Sequence, residues 1–247
     1  MATTSEKMEA STATVNNVSV TSLVDLKGRS SIPTQSLPRT TSSQSPEYRH
    51  QLAEISSRAT LGEPLNIAFQ QEKTGRATAV TPDLLYIGAK GRIETKVAAG
   101  ASVVEAANFA AVACWEPPSS TPQPFTEAQF AEMARERPVF AQFARDIQDA
   151  RLDCLGPSQP YWTLSMMARD PKRKDKGAVR AVIEPYINRA KEEKVPLWLV
   201  AGNERARDIY AYFGFRVVRA IYSYPGDSKE GDGVVVSWCM VCNWPVE

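Results

Sequence analysis

Hydrophobic and polar positions along this chain fall into blocks whose period changes several times, and each change marks an element. Val18, Val20, Leu23, Val24 and Leu26 form a short apolar run that stops at Gly28, so residues 15–27 predict an isolated first strand. Residues 1–14 before it are small and polar, with too little apolar surface to offset the entropy of ordering, and predict a disordered tail. Residues 28–46 after it are rich in Ser, Thr and Pro and predict a loop. Glu47 to Thr60 and Pro82 to Ala99 then carry apolar residues at helical spacing, the second through Leu84, Leu85, Ile87, Ala89, Ile93 and Val97. Beyond them the period shortens. Val103, Val104 and Ala106, followed by Phe109 to Trp115, predict a β-hairpin that Pro117 and Pro118 close.

In the second half, Thr126 with Gln129 three residues on has the form of a capping box. Phe130, Met133, Phe140 and Phe143 continue a helical stripe there that Pro138 interrupts or kinks. Tyr161 to Ala168 predicts a strand. Ala178, Val179, Val182, Ile183, Tyr186, Ile187 and Ala190 then make the clearest amphipathic helix of the chain, with a kink expected at Pro185. Pro196 to Ala201 predicts a strand, Glu204 to Phe213 a helix stopped at Gly214, and Phe215 to Tyr222 with Gly233 to Cys242 a second hairpin. Strands separated by single helices imply an α/β sheet with at least one parallel crossover, in one domain expected to span 47–247.

Composition narrows the partners. The 29 basic residues against 28 acidic ones leave no global field to attract nucleic acid or an anionic membrane surface. No run approaches the length of apolar sequence that a membrane span needs, and the Ser/Thr-rich start lacks the layout of a secretory signal. The expected location is therefore the cytoplasm, with the nucleus also open. In that setting Asn17-Val18-Ser19 is a glycosylation sequon that never meets its enzyme. Four scattered cysteines predict thiols, not a disulfide scaffold. Cys239 and Cys242 form a lone CxxC and His50 is the one histidine, which argues against zinc and against a Ser-His-Asp triad.

The candidate chemistry lies between Asp170 and Arg180. This stretch joins a predicted strand to the start of the strong helix, where free backbone N–H groups and the helix dipole favour an anion. Lys172, Arg173, Lys174, Lys176 and Arg180 surround it with positive charge against Asp170 and Asp175 alone, which suits a pyrophosphate. A solvated basic turn or a localisation signal fits the same segment equally well.

Taken with the residues downstream, the region resembles the GNAT N-acetyltransferases, in particular their fungal and bacterial branch. That family's cofactor loop has Gln or Arg, two variable residues, Gly, one variable residue, then Gly or Ala. Lys174, Gly177 and Val179 hold those three places here. Trp162, Leu164, Ser165 and Asp170-Pro171 resemble its fourth strand. Pro196 to Ala201, Asn203, Tyr210 and Phe213-Gly214-Phe215 resemble its fifth strand and the helix that follows, and Phe109 to Pro118 its third strand. The resemblance covers Val103 to Cys242 well and the region before it poorly. It implies an α/β fold with a mixed, mostly antiparallel, V-splayed sheet of about seven strands, and acetyl-CoA as cosubstrate. It also implies that Lys174, Asp175, Lys176, Gly177, Ala178 and Val179 cradle the pyrophosphate, that the backbone of Met167 and Arg169 pairs with the pantetheine arm, and that Asn203 contacts that arm or CoA. Tyr210 would protonate the leaving thiolate, and Glu116 is the best-placed candidate base. Five positions depart from the family: Lys174 stands for Gln or Arg, Val179 is branched where a small residue is usual, Asp175 is acidic where glycine is common, Arg169 stands where Val is preferred, and Val200 stands where many relatives carry Glu. The expected activity is acetyl transfer to the amine of a small molecule, and the alternative is a non-catalytic GNAT-like protein that binds CoA weakly.

Overall fold

A computed structural model describes residues 36–75, 79–225 and 233–245. The tail expected at 1–14 and the strand expected at 15–27 lie outside the described residues. The domain described here begins at Leu37. Its elements run β1 (Thr40–Ser43), α1 (Pro46–Ala59), α2 (Pro64–Thr74), α3 (Pro82–Ala98), β2 (Ser102–Ala106), β3 (Ala111–Glu116), α4 (Glu127–Glu136), α5 (Pro138–Leu155), β4 (Trp162–Arg169), α6 (Ala178–Glu193), β5 (Leu197–Ala201), α7 (Glu204–Tyr212), β6 (Arg216–Ser223) and β7 (Val235–Cys242). The strands form one sheet in the order β1-β2-β3-β4-β5-β7-β6. Every pairing is antiparallel except β4 with β5, which α6 joins by the expected crossover.

Alternation along the strands sorts the core onto two faces. Ala111, Ala113 and Trp115 of β3 and Leu197, Leu199 and Ala201 of β5 enter the largest cluster, which α6 and Tyr210 of α7 cover. Val112 and Cys114 point to the other face, beneath α1 and α3. Trp198 and Val200 of β5 share that second face with Ala150 and Leu155 of α5. Cys239 and Cys242, three apart in β7, go to opposite faces, and all four cysteines are free thiols.

Several sequence expectations change. Thr40–Ser43, inside the stretch read as a loop, is the edge strand β1. Its Thr and Ser side chains hid it, because an edge strand has little apolar surface to bury; Thr41 bonds to the Glu105 carboxylate and lies 2.6 Å from the Tyr48 hydroxyl. Phe109 belongs to no strand. With Ala107 and Asn108 it forms a turn whose φ values of 56°, 54° and 61° are all left-handed. The Glu105 carboxylate holds that turn by accepting the Phe109 N–H at 2.8 Å. Pro138 interrupts the helical stripe, as one of the two expectations had it: α4 ends at Glu136 and Pro138 begins α5 at its first position, where the missing N–H costs nothing. α6 continues through Pro185 as one helix. α2 had no reading in the sequence at all, although Gly62-Glu63-Pro64 is a helix-start signal. The Thr126 capping box forms as expected.

Burial also sets the response to pH. Cys239, fully buried, is pushed up to about 12, and burial likewise raises Cys114, Tyr161, Tyr186 and Tyr210. Below the ordinary range of these groups both folded and unfolded chains keep the protons, so stability is untouched. Above it the unfolded chain releases them first, and stability is lost as pH rises toward the folded values. Cys239 alone is expected to cost on the order of 2 kcal/mol by about pH 10.5. Urea midpoints at pH 7, 9 and 10.5 measure this, and a midpoint flat across that range contradicts it.

Candidate active site

β4 and β5 pair only from Trp162 to Leu164 and from Leu197 to Leu199. Past that point β4 continues to Arg169 beside β3 alone, while β5 continues to Ala201 beside β7 alone. Two parallel strands that part in mid-sheet leave a V-shaped gap edged by backbone N–H and C=O groups that no strand pairs, which an extended amide-bearing arm can pair with as an added strand. The cause is visible in the register: Trp115 faces Leu164 but Cys114 faces Met166, so Ser165 is one residue too many on β4. Such a bulge bends the strand, here where it leaves its neighbour. The Ser165 hydroxyl donates to the Cys114 carbonyl at 3.2 Å and fixes the bend. Met167 and Arg169 both lie on the parted stretch. Met167 packs against the main cluster, while Arg169 is exposed and its charge helps hold Asp175 ionised.

The turn after β4 brings α6 to the open end of the V. Asp170 organises it, with one carboxylate oxygen accepting the Lys172 N–H at 2.9 Å and the other facing Arg58 of α1 at 3.4 Å. Gly177 caps α6 with a left-handed φ of 77° and no capping side chain, so the N–H groups of Ala178, Val179 and Arg180 have no intrahelical acceptor. Glycine is favoured there twice over, since a Cβ would also stand 3.2 Å from the Pro38 ring in the lead into β1. Lys172, Lys174 and Lys176 are exposed and make no ion pair among the described residues. Arg173 is committed elsewhere. It grips Asp175 through two bonds of 2.8 and 2.9 Å and donates to the carbonyls of Ala107 and Asn108, which ties the cofactor-like loop to the left-handed turn. That guanidinium holds the Asp175 carboxyl below its ordinary value. Val179 is half-buried against the main cluster, which explains a branched residue at this position.

On the β5 side Asn203 caps α7, its Oδ1 accepting the Ala206 N–H at 2.8 Å. Its Nδ2 donates to Glu63, at the start of α2 and 140 residues away, also at 2.8 Å. Tyr210, two turns further along α7, is buried beside Phe215, and burial alone pushes its phenol well up. Gly214 then ends the helix with a φ of 90°. Glu116 sits at the end of β3 opposite Thr163, one residue short of the point where the strands part. It is bound to Lys96 of α3 at 2.6 Å. Met167, Arg169, the Lys174 to Val179 loop and Asn203 thus lie on the segments that border the gap, with Glu116 next to its vertex and Tyr210 buried in the main cluster under α7. Sequence reasoning missed Glu63, because no local pattern links it to Asn203.

No protein-family model matches the chain. Arylalkylamine N-acetyltransferase 2 from Aedes aegypti superposes with a TM-score of 0.55 at 14% identity, covering 82% of this chain and 97% of that one. The chain has the GNAT fold. An uncharacterized N-acetyltransferase of Schizosaccharomyces pombe is 25% identical to this chain over 130 residues, 49% of it and 53% of the relative. An uncharacterized protein of Saccharomyces cerevisiae is 32% identical over 119 residues, 46% of each. The chain spans about half the length of the curated relatives it matches. Among the described residues no helix is long and apolar enough to cross a membrane.

Proposed function

We propose that this GNAT domain transfers the acetyl group of acetyl-CoA to the amine of a small molecule. The observation that carries the reading is the parting of β4 from β5 after Leu164, with the uncapped start of α6 at its open end and Tyr210 and Asn203 on its far side. The residues fit the cosubstrate: unpaired strand edges suit an amide-bearing arm, and three free helical N–H groups beside Lys174 and Lys176 suit a pyrophosphate. When bound, acetyl-CoA supplies a thioester carbonyl that an amine attacks directly, with the C–S bond breaking and a thiol released. Tyr210 gives the departing sulfur its proton, its phenol being protonated at neutral pH. Glu116 takes the proton of the attacking amine through a water molecule, exchanging part of its contact with Lys96 for it.

A second reading has observations of its own in favour. Arg173 is spent on Asp175 and Glu116 is ion-paired, as a fold retained without catalysis allows. Thermal melting with acetyl-CoA separates the two. A true binder at a hundredfold excess over its Kd gains roughly 3 kcal/mol, or about 8 °C for a domain of this size. An unchanged melting temperature at millimolar acetyl-CoA removes the enzyme reading, and a rise with thiol release from a panel of amines supports it.

A further inference from the structure

Beyond Leu164 and Leu199 no main-chain pairing ties β4 to β5, so the width of the gap at its open end is set by whatever bridges the two lips. On the face of α1 that bridge is the turn from α1 to α2. α1 packs on β4, and Arg58 in its last turn faces Asp170, the residue after β4, at 3.4 Å. Five residues on, Glu63 at the start of α2 accepts an N–H of Asn203, two residues past β5, at 2.8 Å. Residues 58–63 therefore run from one lip to the other as a strap, fastened at each end by a polar contact.

Between its ends the strap has little else to hold it. Leu61 is 39% exposed, and a Cβ on Gly62 would meet no atom within 4 Å. The two fastenings are better sheltered: Glu63 and Asn203 are half-buried, and the Asp170 side chain is 16% exposed. Polar contacts withdrawn from water in this way hold more firmly than surface pairs. Glu63 leaves the start of its own helix uncapped and makes no ion pair among the described residues, so its carboxylate serves Asn203 alone. Asn203 is fixed in turn. Its Oδ1 caps α7 and one N–H goes to Glu63, which leaves the second N–H without a partner among the described residues.

An arm lying between β4 and β5 is bound most tightly by lips already at the right spacing, because ordering them on binding costs free energy. We propose that the strap sets that spacing: Arg58 and Glu63 are positioning residues that hold the lips for the pantetheine arm of acetyl-CoA. Glu63 acts through Asn203, whose remaining N–H donates to a carbonyl of the arm. The inference rests on the acetyl-transfer reading for its ligand, and adds two residues that lie outside the loop and strands bordering the gap. It also accounts for a contact between residues 140 apart in the chain that caps neither helix.

The test measures the affinity of the full chain for acetyl-CoA by calorimetry, so it does not depend on turnover. Glu63→Ala is expected to weaken binding about tenfold, and Glu63→Gln, whose side-chain oxygen still accepts the Asn203 N–H, to stay within about twofold of the unaltered chain. Arg58→Gln frees the other end and is expected to weaken binding by a similar factor. A strap holds only when both ends are fastened. The double variant of Arg58→Gln and Glu63→Ala is therefore expected to bind within about twofold of either single one, whereas two independent contacts would multiply to about a hundredfold. In turnover the loss is expected in the KM for acetyl-CoA, with kcat unchanged. Unchanged affinity in Glu63→Ala, a loss that Glu63→Gln does not recover, or factors that multiply in the double variant each overturn the inference and leave acetyl transfer standing. Strap-dependent binding without thiol release from any amine would instead keep the strap and remove the acetyl-transfer reading, and an unaltered chain that does not bind acetyl-CoA overturns both.

Discussion

Trp115→Ala is expected to destabilise the domain by about 4 kcal/mol and to lower its melting temperature by about 10 °C. Trp115 is fully buried where the sheet begins to part, and it joins three elements through one side chain. Its indole N–H donates to the Val182 carbonyl of α6 at 3.0 Å. Its ring stacks on Tyr186 of the same helix, with centroids 4.4 Å apart and planes within 5°. Tyr186 in turn meets Trp162 of β4 edge-on at 5.3 Å. Truncation removes the transfer term of a large aromatic, leaves a cavity between two elements of fixed spacing and loses a ring contact beyond area burial. Trp115→Phe keeps a ring against Tyr186 and is expected to lose roughly half as much. A loss under about 1 kcal/mol for the alanine variant, measured by urea unfolding, would mean that α6 does not depend on this contact.

Tyr210→Phe is expected to lower the rate constant for acetyl transfer about a hundredfold while leaving folding nearly unchanged. The two halves of that expectation come from one observation. Burial raises the phenol, and among the described residues its hydroxyl makes no hydrogen bond whose loss would destabilise the fold. An unengaged donor on the far side of the gap is available to a departing sulfur. Because the shift is upward, the phenol stays protonated past its ordinary value near 10, and the acid contributes no alkaline fall in rate below that pH. The expected kinetics are a drop in kcat with little change in the KM for acetyl-CoA, read by thiol release. Full activity in the variant would assign the proton to another donor and leave the fold untouched.

Much of the scaffold was legible because its signals are local. The capping residues Thr126 and Asn203 act on N–H groups three residues away, and Gly214 and Gly177 supply left-handed backbone where each helix stops or starts. The apolar stripe of α6 and the alternation along β4 and β5 come from the same side chains that fill the main cluster. β1 escaped notice because an edge strand of Thr and Ser bears no apolar alternation, and its identity comes from the backbone of β2. α2 escaped because only Ala68 of its residues is buried, its place being set by two neighbouring helices and not by the sheet.

The sequence by itself determined most of the strands and helices from α3 onward and a parallel crossover, since these follow from periodicity and local caps, while the residues expected at the gap came from the resemblance to the GNAT family. Only the tertiary structure decided how those residues are engaged. Arg173, expected to face a phosphate, is folded onto Asp175 and the Ala107 to Asn108 turn, and Glu116 is bound to Lys96. Asn203 shares its amide with Glu63, 140 residues away. Charges pair through space at a few ångströms whatever their separation in the chain, so their partners are set by how the helices lie on the sheet, which no local pattern encodes.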